Sequence, residues 1–512
     1  MRNSIARGAL GSLAVTMAVG TMALGWGSYP AAAQDGDRFV MGISSSPHTF
    51  HPWDMGQHNS PNHAQFYNRM VKLDKELNPQ PDLAESWAFS DDGTVVTLKL
   101  REGVKFQSGK ELTSEDVKRS WDQITKGEFV GSHANLKPLA NLVSEIRTPD
   151  PYTVELVYAK PNPAVFDLLD LFFIVDMDQW ERHNEHPIGT GPYQLTEFIP
   201  GDRLVMEAFD DYWGDQPSVK ELEYRVIPDP QALVLNLESG SVDGIIFFPH
   251  REVERLRGKG FDVFAANPDG IVFDLLYGLD QEPITDKRVR QAISMMINRD
   301  RFHRVIMGGL GEKRCLPWPE YSIAYDAELD ATCEFNPEKA RALLEEAGYG
   351  DGFEVELITS QQMALEQVKF AEMLQNDLKQ IGVDVKVTDT DRAGYQSWYR
   401  GRKYPLQTHN YGRGNKDPAS LYGTATVWKA EGNTQRYSNP EYQRLITEAA
   451  STLDEDKRKE LYGQLNEMIL DEVFISAIHT NPRWFAHSSD WQNIDASVDG
   501  FMYFFDMEHQ PG

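Results

Sequence analysis

Apolar and polar positions along the chain switch between a period near two and a period near 3.6, and the switches predict its elements. Residues 94–100, TVVTLKL, are β-branched and alternating, as in a half-buried strand. Thr113 then stands where a helix N-cap belongs, with Glu115 and Asp116 in the first turn and Val117, Trp121 and Ile124 at helical spacing. Asn336-Pro337 opens another helix, with Ala340, Leu343, Leu344 and Ala347 on its apolar face and Gly348 as its stop. From Ala364 the positions Val368, Ala371, Leu374, Leu378 and Ile381 keep the helical period until Gly382, and residues 383–387 alternate directly afterwards. Helix, glycine, strand is the grammar of an α/β lobe. Pro149-Asp150-Pro151, Pro161-Asn162-Pro163 and Pro228-Asp229-Pro230 read as turns, and no long Gly/Ser linker separates the elements. The expectation is lobes that interweave through several chain crossings, with a cleft between them.

The N-terminus departs from this pattern. Arg2 and Arg7 precede an uncharged apolar run over residues 9–26, which Ser28 and Pro30 break before Ala31-Ala32-Ala33 and Gln34. Residues 1–33 read as a secretory signal cut after Ala33; the rival is an uncleaved anchor, disfavoured by a short run rich in Gly, Ala and Thr. No cysteine lies near the cut, so neither a lipid nor a membrane anchor is expected, and the address is the periplasm. The 512 residues correspond to about three domain-sized units. A formal charge of −28 argues against nucleic acid and anionic membrane as partners, because both call for Lys/Arg patches. In an exported chain, Cys315 and Cys333 suggest one disulfide around a Pro-rich loop, with two free buried thiols as the alternative.

Enzyme motifs are missing. There is no phosphate loop, no H-E-x-x-H helix and no G-x-S-x-G elbow, and the cluster of Gly308, Gly309 and Gly311 follows a helix and reads as its end. An exported hydrolase would need a nucleophile–base pair or a metal triad that the sequence does not show. His48 and His51 lie close together, as do His183 and His186, but Pro47, Pro52 and Pro61 deny the first group a helix. Polar, cleft-lining histidines are the expectation, with no metal and no cofactor. Trp53, Tyr411 and Trp428 sit in Gly/Pro/Asn-rich stretches where rings can wall a pocket, although core packing is the usual place for an aromatic residue.

Four blocks together resemble one family. Residues 78–121 carry a P-x-L-A-x-S-W, D-G, L-R-x-G-V-K-F, G, T-x-x-D-V succession at Pro81, Asp92-Gly93, Leu100, Gly109 and Thr113. Residues 189–214, 284–300 and 335–349 supply GTGPYQLTEFIPGDRLVMEAFDDYWG, ITDKRVRQAISMMINRD and FNPEKARALLEEAGY in the same order. These resemble the periplasmic solute-binding proteins for dipeptides, oligopeptides and nickel that feed ATP-binding-cassette importers (extracellular solute-binding family 5, cluster C). The resemblance implies an α/β, two-lobed periplasmic-binding-protein fold of type II with an additional smaller α/β domain. Lobe I would comprise 34–62, 185–278 and 482–512, the inserted domain 63–184 and lobe II 279–481. It implies a monomer that closes over a peptide or small-molecule ligand and presents it to a membrane permease.

The resemblance also implies candidate ligand contacts. Peptide binders of this family place an Asp four residues before a Pro to receive the peptide's α-ammonium group. The matching segment, residues 410–418, reads NYGRGNKDP: Gly414 stands four before Pro418, Arg413 precedes it, and Asp417 adjoins the proline. With a cation beside the usual place of the carboxylate, an anionic solute becomes the alternative to a peptide: an acidic opine, a polycarboxylate or a metal–carboxylate chelate. Arg400, Arg402, Lys403 and Arg413 form a local basic group in an acidic chain. The expected ligand-binding residues are therefore Arg413, Tyr411, Asn410, Gly414, Asp417 and Trp428. To these the family analogy adds His48, His51 and Trp53 from residues 44–53, and His479 from the return segment 478–484.

Overall fold

The computed structural model describes residues 36–47, 49–53, 60–127, 136–265, 271–361, 363–412, 417–497 and 500–510. The signal segment, His48, Arg413 and Gly414 lie outside the described residues, and of Tyr411 only the strand backbone is described.

The predicted elements form for the stated reasons. Strand Val95–Leu100 is followed by helix Ser114–Lys126, whose N-terminus is closed by Asp116 reaching back to accept from the Thr113 N–H at 3.0 Å and its hydroxyl at 3.1 Å. Val117, Trp121 and Ile124 are buried. Asn336 caps helix Pro337–Glu346 by accepting from the Lys339 N–H at 3.0 Å. Helix Leu365–Leu378 buries Phe370, Ala371, Leu374 and Leu378, but also Gln367 in place of the expected Val368. The Gln367 amide oxygen accepts from the Thr408 hydroxyl at 3.1 Å, which satisfies a polar atom that burial would otherwise penalise.

Among the described residues, three larger sheets organise the chain. The first has seven strands in the order Asp262–Ala265, Trp484–His487, Gly244–Ile246, Arg38–Ile43, Glu221–Val226, Arg203–Ala208 and Tyr193–Ile199. The second has five: Val383–Asp389, Phe353–Thr359, Leu406–Gly412, Ile271–Tyr277 and Ile475–Thr480. The third is an antiparallel set of four, Ala84–Phe89, Val95–Leu100, Thr153–Tyr158 and Val143–Asp150. All strands of the second sheet lie between those of the first in sequence, so the chain crosses between the two sheets twice, after Ala265 and after Thr480. Mixed parallel and antiparallel strands with helices between them make this a two-lobed α/β fold.

One apolar cluster runs without a break from the seven-stranded sheet (Phe39, Met41, Leu204, Leu222) into the four-stranded sheet (Val96, Leu98, Val154, Leu156). Inside it Arg69 pairs with Asp170 at 2.7 Å, both side chains being almost wholly buried, and the guanidinium carbon lies 5.0 Å from the Phe501 ring centroid. The five-stranded sheet has its own two cores, one on each face, built from residues between Val272 and Ile478. The cysteines are bonded, with Cα atoms 5.7 Å apart.

Candidate ligand-binding cleft

The strand Ile271–Tyr277 sits between Leu406–Gly412 and Ile475–Thr480, and its register decides which expected residues meet. Phe273 is opposite Asn410 on one side and His479 on the other. In a sheet, residues in one cross-strand row point to the same face, so Asn410, Phe273 and His479 form one row. Val272 stands likewise between Tyr411 and Thr480. Two segments more than sixty residues apart in the sequence are thus brought side by side.

The row has distinct chemistry at each end. Asn410 Oδ1 is buried and finds no hydrogen-bond partner among the described residues. A buried amide oxygen without a donor costs about 1–3 kcal/mol, which a donor on a solute would recover. At the other end, His479 is buried and its Nε2 lies 2.9 Å from His303 Nδ1, while its own Nδ1 meets the Thr480 carbonyl. Burial holds the His479 pKa down at about 4, so the ring is neutral near pH 7. The glycines of 308–311 bring the chain close here: a Cβ on Gly311 would lie 2.9 Å from Thr480 Oγ1 and 3.0 Å from His479 Cε1, and its φ is +77°.

Across the crossing, His250 links the seven-stranded side to this corner. Its Nε2 is 3.2 Å from Asn481 Oδ1, and its Nδ1 accepts from Trp484 Nε1 at 2.8 Å. Burial lowers the His250 pKa, and the Glu366 carboxylate opposes that shift. Histidines 250, 479 and 303 therefore follow one another through the second crossing.

On the opposite face of the same strands, Asp274 and His409 pair at 3.0 Å, and the His409 ring stacks on Tyr399 with centroids 5.2 Å apart. Burial pushes the Asp274 carboxyl up, and His409 pulls it back. Composition and spacing gave no sign of this pair, because only strand register makes residues 135 positions apart neighbours.

The other expected residues are placed elsewhere. His51 and Trp53 lie with Trp180 and His183: His51 is 4.9 Å from His183, Trp53 stacks on Trp180 at 5.4 Å, and Trp180 stacks on His183 at 3.9 Å between centroids. Trp53 Nε1 donates to the Phe173 carbonyl at 3.0 Å. Two histidine groups read separately in the sequence thus share one ring cluster. Trp428 is fully buried between Trp318 and Phe474 in a core of the five-stranded body. Asp417 is buried, ion-paired with Arg458 at 2.7 Å, hydrogen-bonded by the Tyr462 hydroxyl, and accepts from the Ala419 N–H at 3.0 Å. Among the described residues no group of three or more His, Cys, Asp and Glu is placed to hold a metal, and no helix is long and apolar enough to cross a membrane.

Two α/β bodies joined by two crossings, each with its own core and with polar groups at the seam, define a hinged solute-binding protein. The chain belongs to the bacterial extracellular solute-binding proteins, family 5, whose model matches residues 78–433. It is 27% identical over 511 residues to the dipeptide-binding protein of Escherichia coli (strain K12), covering 92% of this chain and 93% of that one. It is also 27% identical over 464 residues to a glutathione-binding protein of Salmonella paratyphi A, covering 87% and 89%. The crystal structure of NikA from Brucella suis in complex with Fe(III)-EDTA superposes with a TM-score of 0.83 at 22% identity, covering 92% of this chain and all of that one. Proteins of this family bind peptides or small solutes and deliver them to the permease of an ATP-binding-cassette importer, and this chain is such a transport component.

Proposed function

We propose that the solute is held in the cleft without an α-ammonium-to-carboxylate pair, as an acidic small molecule, an acidic peptide or a metal–carboxylate chelate. The observation that carries this reading is Asp417. It is the single carboxylate of segment 410–418, and Arg458, Tyr462 and the Ala419 N–H already engage it. Freeing it to receive a ligand ammonium would leave the buried Arg458 guanidinium without its carboxylate, which is costly. Arg413 at the adjoining position supplies the matching cation, and Asn410 Oδ1 asks for a solute N–H or O–H. Closure of the five-stranded body over the other two captures the solute by shifting an open–closed population. Binding proceeds without turnover, in a periplasmic, unlipidated monomer released by cleavage after Ala33.

A neutral peptide is the second reading, favoured by the dipeptide- and glutathione-binding relatives that align over nearly the whole chain. A thermal-shift screen of the mature protein separates the two. A solute at one hundred times its dissociation constant stabilises by about 2.7 kcal/mol. Dicarboxylates, glutathione or chelates should shift the melting point and neutral dipeptides should not; the reverse pattern sinks the acidic-solute reading. Arg413→Ala should weaken an acidic ligand at least tenfold.

A further inference from the structure

Besides the two crossings, the four-stranded and five-stranded bodies meet, among the described residues, where helix Ala419–Thr424 packs on helix Leu136–Ala140 and at three side-chain points. Ser420 Oγ, in helix Ala419–Thr424, donates to Asp167 Oδ2 of helix Val165–Leu169 at 2.6 Å, and both residues are buried. The preceding residue, Phe166, joins Leu73, Leu77 and Tyr321 in a small apolar cluster, with Tyr321 coming from the five-stranded side, and Phe166 also packs against the large core of its own body. Phe166 is braced from its own body by Trp87 and Phe89, at centroid distances of 5.3 and 6.1 Å. The third point is Leu453, whose Cδ1 would lie 2.7 Å from a Cβ on Gly93; the φ of +68° there independently favours glycine.

These contacts differ from a domain core in a way that bears on motion. Opening them exposes one hydroxyl, one carboxylate and a few rings, all of which water or neighbouring rings can accommodate. The seam is therefore weak enough to part, yet its central hydrogen bond runs to a charged acceptor shielded from water, which makes it stronger than a neutral one. The helix that carries Ser420 is also tied to the ligand segment. Asp417 accepts from the Ala419 N–H and pairs with Arg458, so the carboxylate near the end of segment 410–418 roots the helix that carries Ser420.

We propose that helices Val165–Leu169 and Ala419–Thr424, with Tyr321 against Phe166, form a clasp that closes the cleft through protein contacts alone and sets the solute-free balance between open and closed forms. The inference rests on closure of the cleft as the capture step. A binding protein whose competent form is a fraction f of the population has its dissociation constant raised by 1/f, so a clasp that raises f tightens binding without touching the solute. It would act on any solute the cleft accepts, because none of its residues has to meet the ligand.

The test uses the full mature chain, unfolded and refolded to strip any bound solute, by small-angle scattering and backbone hydrogen exchange. The wild type is expected to scatter as the compact form. Ser420→Ala removes the donor with little change in volume and should shift the open-to-closed ratio about tenfold, the scale of one hydrogen bond to a charged group. The signs are a larger radius of gyration and about tenfold faster exchange of the amides in 419–424. Tyr321→Ala, on the separate apolar contact, should move both readouts the same way. If Asp167→Asn loses its cooperative melt, the Ser420 and Tyr321 variants decide the matter. Scattering and exchange identical to wild type in both, or a wild type that scatters as the open form, would overturn the clasp. Neither readout uses a solute, so that result leaves the acidic-solute reading standing, and failure of the solute panel leaves the clasp standing.

Discussion

The molecule has two seams, and they are built on opposite principles. Where the four-stranded body meets the seven-stranded sheet, a single apolar cluster passes through. At it, Trp53 Nε1 donates to the Phe173 carbonyl, Gln65 Nε2 donates to the Met502 carbonyl, and Arg69 pairs with Asp170. Where the five-stranded body meets the other two, the cores stop on either side. Among the described residues the contacts there include the pair of crossings, the His250–Asn481 and Ser420–Asp167 hydrogen bonds, the few rings around Tyr321, Leu453 beside Gly93, and helix Ala419–Thr424 on helix Leu136–Ala140. A seam like a domain interior cannot part without exposing tens of apolar side chains, each contributing about 1.5–3 kcal/mol. A sparse polar seam can. The contrast is what places the proposed closure at the second seam and treats the first as a rigid unit.

Breaking the first seam should give the largest effect. Arg69→Ala removes the cation from a buried ion pair, and a loss of about 3–5 kcal/mol is expected in chemical denaturation, together with loss of folded protein on mild heating. A loss below about 1 kcal/mol would mean that the seam is not held as its geometry indicates. Next comes the disulfide, which lies wholly within the five-stranded body. Reduction of Cys315–Cys333 should lower stability by about 3 kcal/mol on the chain-entropy model, for a separation of 18 residues. Hydrogen exchange should loosen around 315–333 while strands 95–100 and 153–158 keep their protection; loosening of both would show that the bodies do not unfold separately.

Acid tests the second seam through its histidines. Burial sets the His479 pKa near 4, the Thr480 carbonyl opposes this, and electrostatic repulsion from neighbouring basic groups, the Arg314 guanidinium among them, adds to it. The unfolded ring takes up a proton near pH 6.5, whereas the folded one does so only near 4. Stability is therefore full above about pH 6.5 and falls as the pH drops towards 4, by up to about 3 kcal/mol. His250 and His487, also lowered by burial, add in the same direction. His479→Gln should flatten the decline in a pH series of urea melts; an unaltered slope would show that His479 does not drive it. Smallest is His250→Ala, expected to cost about 1 kcal/mol, since it removes two hydrogen bonds at an interface water can enter. A cost equal to that of Arg69→Ala would erase the contrast between the seams.

Elements were legible wherever a local signal named them. Thr113 with Asp116, Asn336 with Pro337, and the alternation before Leu100 each carry their reason within a few residues, and the structure shows the strand and the two helices there. The glycines of 308–311 read as a helix end, and they follow the turn Phe302–Ile306 with φ above +65° at all three. The expected face of helix Leu365–Leu378 was off at Val368 because Gln367 is buried through a partner, Thr408, that no local pattern announces. The candidate site divides in the same way. Residues 410–418 and 478–484 were marked by family resemblance, yet their adjacency across Phe273 depends on register alone.

By itself, then, the sequence determined the periods, caps and stops of the elements and the family, because each of these is written in neighbouring residues. Tertiary structure decided what the polar groups do. It joined Asn410 and His479 in one row, set His51 beside His183, committed Asp417 to Arg458 and carried Ser420 to Asp167. The physical reason is that burial and partnership are long-range. A carboxylate is a ligand contact or a structural pair according to what folds against it, and in Asp417 the partner lies 41 residues away, on the far side of a helix turn that the sequence around Pro418 does not reveal.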